Sequence, residues 1–199
     1  MKIILLTLSI LIALAVPALS QDRKKNGFTV KDYTPQEPKV NENNIYRSNI
    51  NHYRIKIPKG WIINRPNSIG VEFNATDSLK VATMNIHVTH FDKPIQKSVY
   101  DFPVDQAVTL LREGMPNTEL IEGKKTYINN VESLLVKTRS NIKSLEYDYH
   151  IITRQYILLR GSKMVSITFQ VIQDLDEVYA PAFEDTLLSF IFEESLYKD

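Results

Sequence analysis

Most of this chain alternates apolar and polar residues with a period of two. Tyr53, Ile55 and Ile57 alternate with Arg54 and Lys56 ahead of Pro58, the pattern of a strand with one buried face. Trp61-Ile62-Ile63 and Val71-Glu72-Phe73 read as short partner strands. From Val81 to Thr89, Ala82, Met84, Ile86 and Val88 share one face, while Thr83, Asn85 and His87 share the other. Val165, Ile167, Phe169 and Val171 alternate in the same way with Ser166, Thr168 and Gln170. Between these two runs lie three more extended segments, Leu120 to Ile128, Val131 to Arg139 and Leu145 to Leu159. Asn129-Asn130, Asn141 to Ser144 and Gly161-Ser162 separate the runs as tight turns. Strands joined by such short turns are antiparallel neighbours, so the centre of the domain is predicted to be an antiparallel meander.

The period changes to a helical one twice. Val104, Ala107, Val108, Leu111 and Met115 follow helical spacing, with Pro103 in the first turn and Gly114 and Pro116 as the stop. Tyr179, Phe183, Leu187 and Phe190 form a second apolar stripe. Asp174 or Asp176 is the expected cap there, with a kink or a late start at Pro181. The predicted class is α+β, an antiparallel sheet flanked by helices.

The first twenty residues follow a different rule. Lys2, the apolar run from Ile3 to Val16 and the small residues around Ala18-Leu19-Ser20 predict a secretory signal over 1–20, cleaved before Gln21. The run is too short for a comfortable membrane span, so no integral span is expected after cleavage. Residues 21–44 are polar, hold Pro35 and Pro38 and read as an arm or linker. One domain over 45–192 and a short tail over 193–199 complete the layout. The chain has no cysteine, which excludes disulfides and thiolate metal sites and leaves stability to the core. Such a chain suits a bacterial periplasm or the cell exterior. Loss of Lys2 with the signal leaves 23 basic against 23 acidic residues. That balance gives no general attraction to nucleic acid or to an anionic membrane.

"Y-R-I-K-I-P-K-G-W" (Tyr53 to Trp61), a meander, a helix before the long strands, and a final helix running into "S-F-I-F" (Ser189 to Phe192) resemble the PsbP-like family. The likeness runs from about Tyr46 to Phe192. That family shares its fold with the Ran-binding Mog proteins and the Eag-type chaperones of type VI secretion effectors. The resemblance implies an α/β/α sandwich around an antiparallel sheet. It also implies a role in binding or supporting another protein, with no catalytic constellation. No family metal or partner residue maps onto a position here, and no photosynthetic role carries over.

Candidate chemistry is sparse. Trp61, the single tryptophan, is expected to cover the end of the core just past a Pro-Gly turn rather than to mark a ligand. His87 and His90 are three apart on a strand and point to opposite faces, so they do not chelate together. His87 and His150 meet only if their strands adjoin in register, with Asp148 on the same face as His150. No nucleophile elbow, zinc-protease motif or glycine-rich phosphate loop occurs. Neither cofactor nor catalytic residue is therefore assigned. A dispersed hydrolase would need a serine or carboxylate beside His87 or His150. The polar side of two strands stands out instead: Thr83, Asn85 and His87 with Ser166, Thr168 and Gln170 are expected to line one broad surface, either an ordinary solvated sheet face or a groove for a peptide, a protein partner or a polar ligand. Ten tyrosines, Tyr147 and Tyr149 among them, suit either protein contacts or closure of the core edge with their hydroxyls in water.

Overall fold

Each alternating run becomes a strand whose apolar positions turn to one side, and that rule builds the molecule. A computed structural model describes residues 38–66, 70–96, 98–101, 104–115, 117–143 and 148–193. The expected signal, most of the arm, the tail beyond 193, Pro103 and Pro116 lie outside the described residues. The elements are β1 (Ile45–Ser48), β2 (Tyr53–Lys56), β3 (Ile62–Asn64), β4 (Val71–Thr76), β5 (Ala82–His90), α1 (Val104–Gly114), β6 (Thr118–Ile128), β7 (Val131–Lys143), β8 (Asp148–Arg160), β9 (Lys163–Ile172), α2 (Asp176–Leu188) and β10 (Ile191–Phe192).

A seven-stranded sheet runs in the order β3-β4-β5-β9-β8-β7-β6, and a small sheet in the order β1-β2-β10. All pairings are antiparallel. The β6–β9 meander follows the sequence pattern. Asn129 and Asn130 make its first turn with φ of 47° and 66°, the double left-handed geometry that two-residue hairpins favour. Long-range pairing then places β5 against β9, so the two most alike runs of the sequence are direct neighbours. β2, by contrast, sits in the small sheet with β1 and β10 rather than beside β3.

On one side of the large sheet, here the first face, Ala82, Met84, Ile86 and Val88 oppose Val171, Phe169, Ile167 and Val165. Helix α2 and the small sheet pack on this face in one apolar core. Phe183 of α2 stacks on Phe169 at 4.7 Å and 26°, and Tyr46 leans on Phe73 at 4.7 Å. On the second face, Val108 of α1 joins Leu134, Val136, Ile157 and Met164 in a smaller core over β7 and β8. Gly123 is needed there: a Cβ would meet Val104 Cγ1 at 2.8 Å, so only glycine lets the helix come this close.

Three local expectations are corrected. β7 runs on through Asn141 to Lys143, where Ile142 pairs with Tyr149. That cross-strand apolar pair outweighs the turn preference of Asn141; residues 144–147, between β7 and β8, lie outside the described residues. Helix α2 starts at Asp176, ahead of Pro181 rather than at it, and no side chain caps it. Asp176 instead takes Arg154 at 2.8 Å and Lys137 at 3.0 Å, an ion triad that anchors the first turn to β7 and β8. Helical cover is also slight. The structure is mainly antiparallel sheet, with one helix over part of each face, and matches the predicted sandwich only in outline.

Candidate functional site

The six polar positions singled out from the sequence do come together. Thr83 faces Gln170, Asn85 faces Thr168, and His87 faces Ser166, all on the second face. The register extends each pair into a row across the sheet. One row reads Thr76, Thr83, Gln170, Thr153, Thr138. The next reads Asn64, Asn74, Asn85, Thr168, Gln155. None of these ten side chains is charged. They are the part of the face that lies outside the apolar core under α1.

The amides form a directed relay. Asn64 Nδ2 donates to Asn74 Oδ1 at 2.8 Å and to Thr76 Oγ1 at 2.7 Å. Asn74 Nδ2 donates onward to Asn85 Oδ1 at 2.5 Å. Gln155 Nε2 donates to Ser166 Oγ at 2.8 Å and Gln170 Nε2 to Thr153 Oγ1 at 3.3 Å. These bonds answer most of the desolvation cost of the polar residues. Thr83, Asn85, Ser166 and Gln170 are buried, whereas His87, Thr168, Gln155, Asn74, Asn64 and Thr76 keep partial contact with solvent. Two hydroxyls of this face stand out: Thr83 Oγ1 and Thr138 Oγ1 are buried and have no hydrogen-bond partner. Thr138 is 0% exposed and Thr83 3%.

His87 packs against Gly70, whose φ is 81° and where any Cβ would strike the imidazole. The imidazole Nδ1 lies 3.4 Å from Thr89 Oγ1. His150 pairs with Asn141 on the first face, with its Nδ1 buried and unpartnered. The two histidines therefore do not meet. Among the described residues, no three His, Cys, Asp or Glu side chains group as a metal site. Trp61 packs against the main core, edge-on to Tyr179 at 6.5 Å and to Phe183 at 6.3 Å.

One polar cluster went unread in the sequence. A bulge in β4 between Val71 and Phe73 turns Glu72 toward the small sheet. Its carboxylate accepts hydrogen bonds from Ser48 Oγ and, at 2.6 Å, from Tyr53 Oη. Burial, and then the charge of Glu72, hold the Tyr53 hydroxyl well above the usual tyrosine range. Glu72 is 3% exposed, so it ties the two sheets together from inside. In sequence, Val-Glu-Phe reads as ordinary alternation and only the bulge reveals its role.

No family model and no curated protein matches this chain. Solved structures do. The solution structure of cyanobacterial PsbP from Synechocystis sp. PCC 6803 aligns over 77% of this chain and 95% of that one, at 14% identity and a TM-score of 0.60. A crystal structure from Bacteroides thetaiotaomicron aligns over 80% of this chain at 8% identity and a TM-score of 0.53. This chain spans about half of that protein, 52% of its length. The Saccharomyces cerevisiae Ran-binding protein Mog1p aligns at 10% identity and a TM-score of 0.49 over 80% of this chain and 100% of that one, too loose a likeness to carry an argument. The protein thus has the PsbP-like fold, as the sequence motifs implied.

Proposed function

We propose that this chain is an exported, non-catalytic domain that binds or stabilises a protein partner in the cell envelope, using the uncharged half of the second face. The observation that carries this reading is the relay itself. Ten neutral amide and hydroxyl side chains occupy two adjoining rows, seven of them oriented by hydrogen bonds, and their outer members remain in contact with solvent. Neutral hydrogen-bonding groups of this kind favour shape and pairing over long-range attraction. That suits a partner met in a salt-containing envelope. The PsbP-like fold supports the reading at the level of fold alone. Export rests on the signal expected over 1–20, and no described helix is long and apolar enough to cross a membrane. A small polar ligand is the second reading, favoured by the two buried hydroxyls of Thr83 and Thr138 that lack partners.

The absence of native cysteine makes a clean test available. Thr168→Cys and, on the exposed side of α2, Glu177→Cys would each be labelled with a photoactivated cross-linker in envelopes of the producing cells. The reading expects a discrete protein adduct from position 168 that disappears when Gln155→Glu is added, and none from position 177. Equal adducts from both positions, or none from 168, would reject it. A small-molecule shift with no protein adduct would favour the second reading.

A further inference from the structure

The two edges of the large sheet are treated differently by this sequence. β6 is eleven residues long and would be an open template for aggregation were it not guarded. It carries Glu119, Glu122, Lys124 and Lys125, a bulge between Leu120 and Glu122, and the ion pairs Arg139–Glu119 at 2.6 Å and Lys124–Glu122 at 2.9 Å. Charges and bulges are the usual protection of an edge. β3, at the other end, is guarded only by its shortness and by Arg65 and Pro66 just past it. Trp61-Ile62-Ile63-Asn64 holds no charge, and Ile62 and Ile63 are 46% and 36% exposed. These two point to opposite faces, Ile62 sharing its row with Thr76 and Ile63 with Ala75. No described strand pairs with the outer side of β3.

The relay gives this edge a chemical polarity. Asn64 sends both hydrogens of its amide inward, to Asn74 and to Thr76. With both amide hydrogens given inward, the polar atom left to Asn64 is Oδ1, an acceptor. A carboxylate opposite it would set acceptor against acceptor, whereas an amide or hydroxyl would continue the row.

Resting on the partner-binding reading above, we propose that the partner engages by adding an extended segment to the outer edge of β3, and that this segment is uncharged and places a side-chain N–H or O–H donor opposite Asn64. Main-chain pairing supplies part of the affinity, and burial of Ile62 and Ile63 on either side supplies the rest. With only three residues in β3, the main-chain pairing is short, and selectivity falls largely to the residue facing Asn64.

The test uses the 15N-labelled protein and two capped peptides, acetyl-Thr-Val-Asn-Val-Thr-amide and its twin with Asp in place of Asn. The proposal expects the Asn peptide to slow hydrogen exchange at the outward β3 amides and to shift the side-chain NH2 signals of Asn64 and Asn74. The Asp twin should bind about tenfold more weakly or worse, the loss of one well-placed hydrogen bond. Ile63→Lys should abolish the effect while leaving the melting curve in place, since the side chain is already part-exposed. Equal binding of the two peptides, changes at β6 in place of β3, or no response at β3 would each overturn the proposal. Responses at Gln155 and Gln170 with β3 unmoved would overturn the edge and leave the broader face reading intact. The position-168 cross-link tests that reading by itself.

Discussion

The two faces of the large sheet are made from the same strands, yet they solve opposite problems. The first face is apolar from β5 to β9 and is sealed by α2 and the small sheet, with rings such as Phe169 and Phe183 in direct contact. The second face is apolar under α1, where Leu134, Val136, Ile157 and Met164 lie, and turns to Thr, Asn and Gln in the two rows that cross the sheet from β3 and β4 toward β7. A strand alternates with a period of two, so β5 and β9 write both faces at once: Met84 and Phe169 look to the core while Asn85 and Thr168 look away from it. One side of each strand supplies stability. The other spends it, because every buried amide must be answered by another polar group. Five of the ten polar positions are buried and carry that cost, which the proposed binding role of the second face would explain.

The comparison can be broken most severely at the first face. Phe183→Ala removes a ring that is 3% exposed and stacked on Phe169, and should lower unfolding stability by about 3–5 kcal/mol in urea titrations. Asp176→Ala leaves Lys137 and Arg154 facing each other without their shared carboxylate. Those cations are largely but not fully buried, so a loss of about 2–3 kcal/mol is expected, visible as a lower thermal midpoint. On the second face, Asn85→Leu strands the Asn74 donor and should cost about 1–2 kcal/mol while the far-ultraviolet spectrum stays native. The smallest effect concerns alkali. Burial first, then the hydrogen bond to Asp77 at 2.8 Å, push the Tyr179 hydroxyl up to about 12. Its value in the unfolded chain is about 10, so the folded state holds this proton longer. The stabilisation is complete below about pH 10 and fades as pH rises through 12. Tyr179→Phe should flatten that part of the stability-versus-pH curve, read by denaturant titration at successive pH values.

What could be read in the sequence follows from the range of the forces involved. Alternation is local, so the strands of the meander and the face on which the polar positions of β5 and β9 lie were legible. The Asn129-Asn130 turn was equally plain, because it needs left-handed residues. Register across distant strands is not local. Asn64, Asn74, Thr153, Gln155 and Thr138 join the candidate site only because β3, β4, β7 and β8 fall into line beside β5 and β9, and no periodicity announces that. The separation of β2 into a small sheet and the inward turn of Glu72 also depend on a bulge and on long-range packing. At α2, Pro181 suggested a kink or a late start and the nearby aspartates a cap. The tertiary ion triad at Asp176 fixed the start earlier, an instance of packing overriding local preference.

The central claim, that the uncharged half of the second face is an occupied surface in the envelope, is tested most directly by protection. Thr168→Cys and Glu177→Cys proteins would be treated with a small maleimide, with and without the envelope fraction of the producing cells, and the labelling rates compared. The account predicts that the fraction slows labelling at position 168 by about tenfold or more and leaves position 177 unchanged. Equal rates at position 168 with and without the fraction would contradict it.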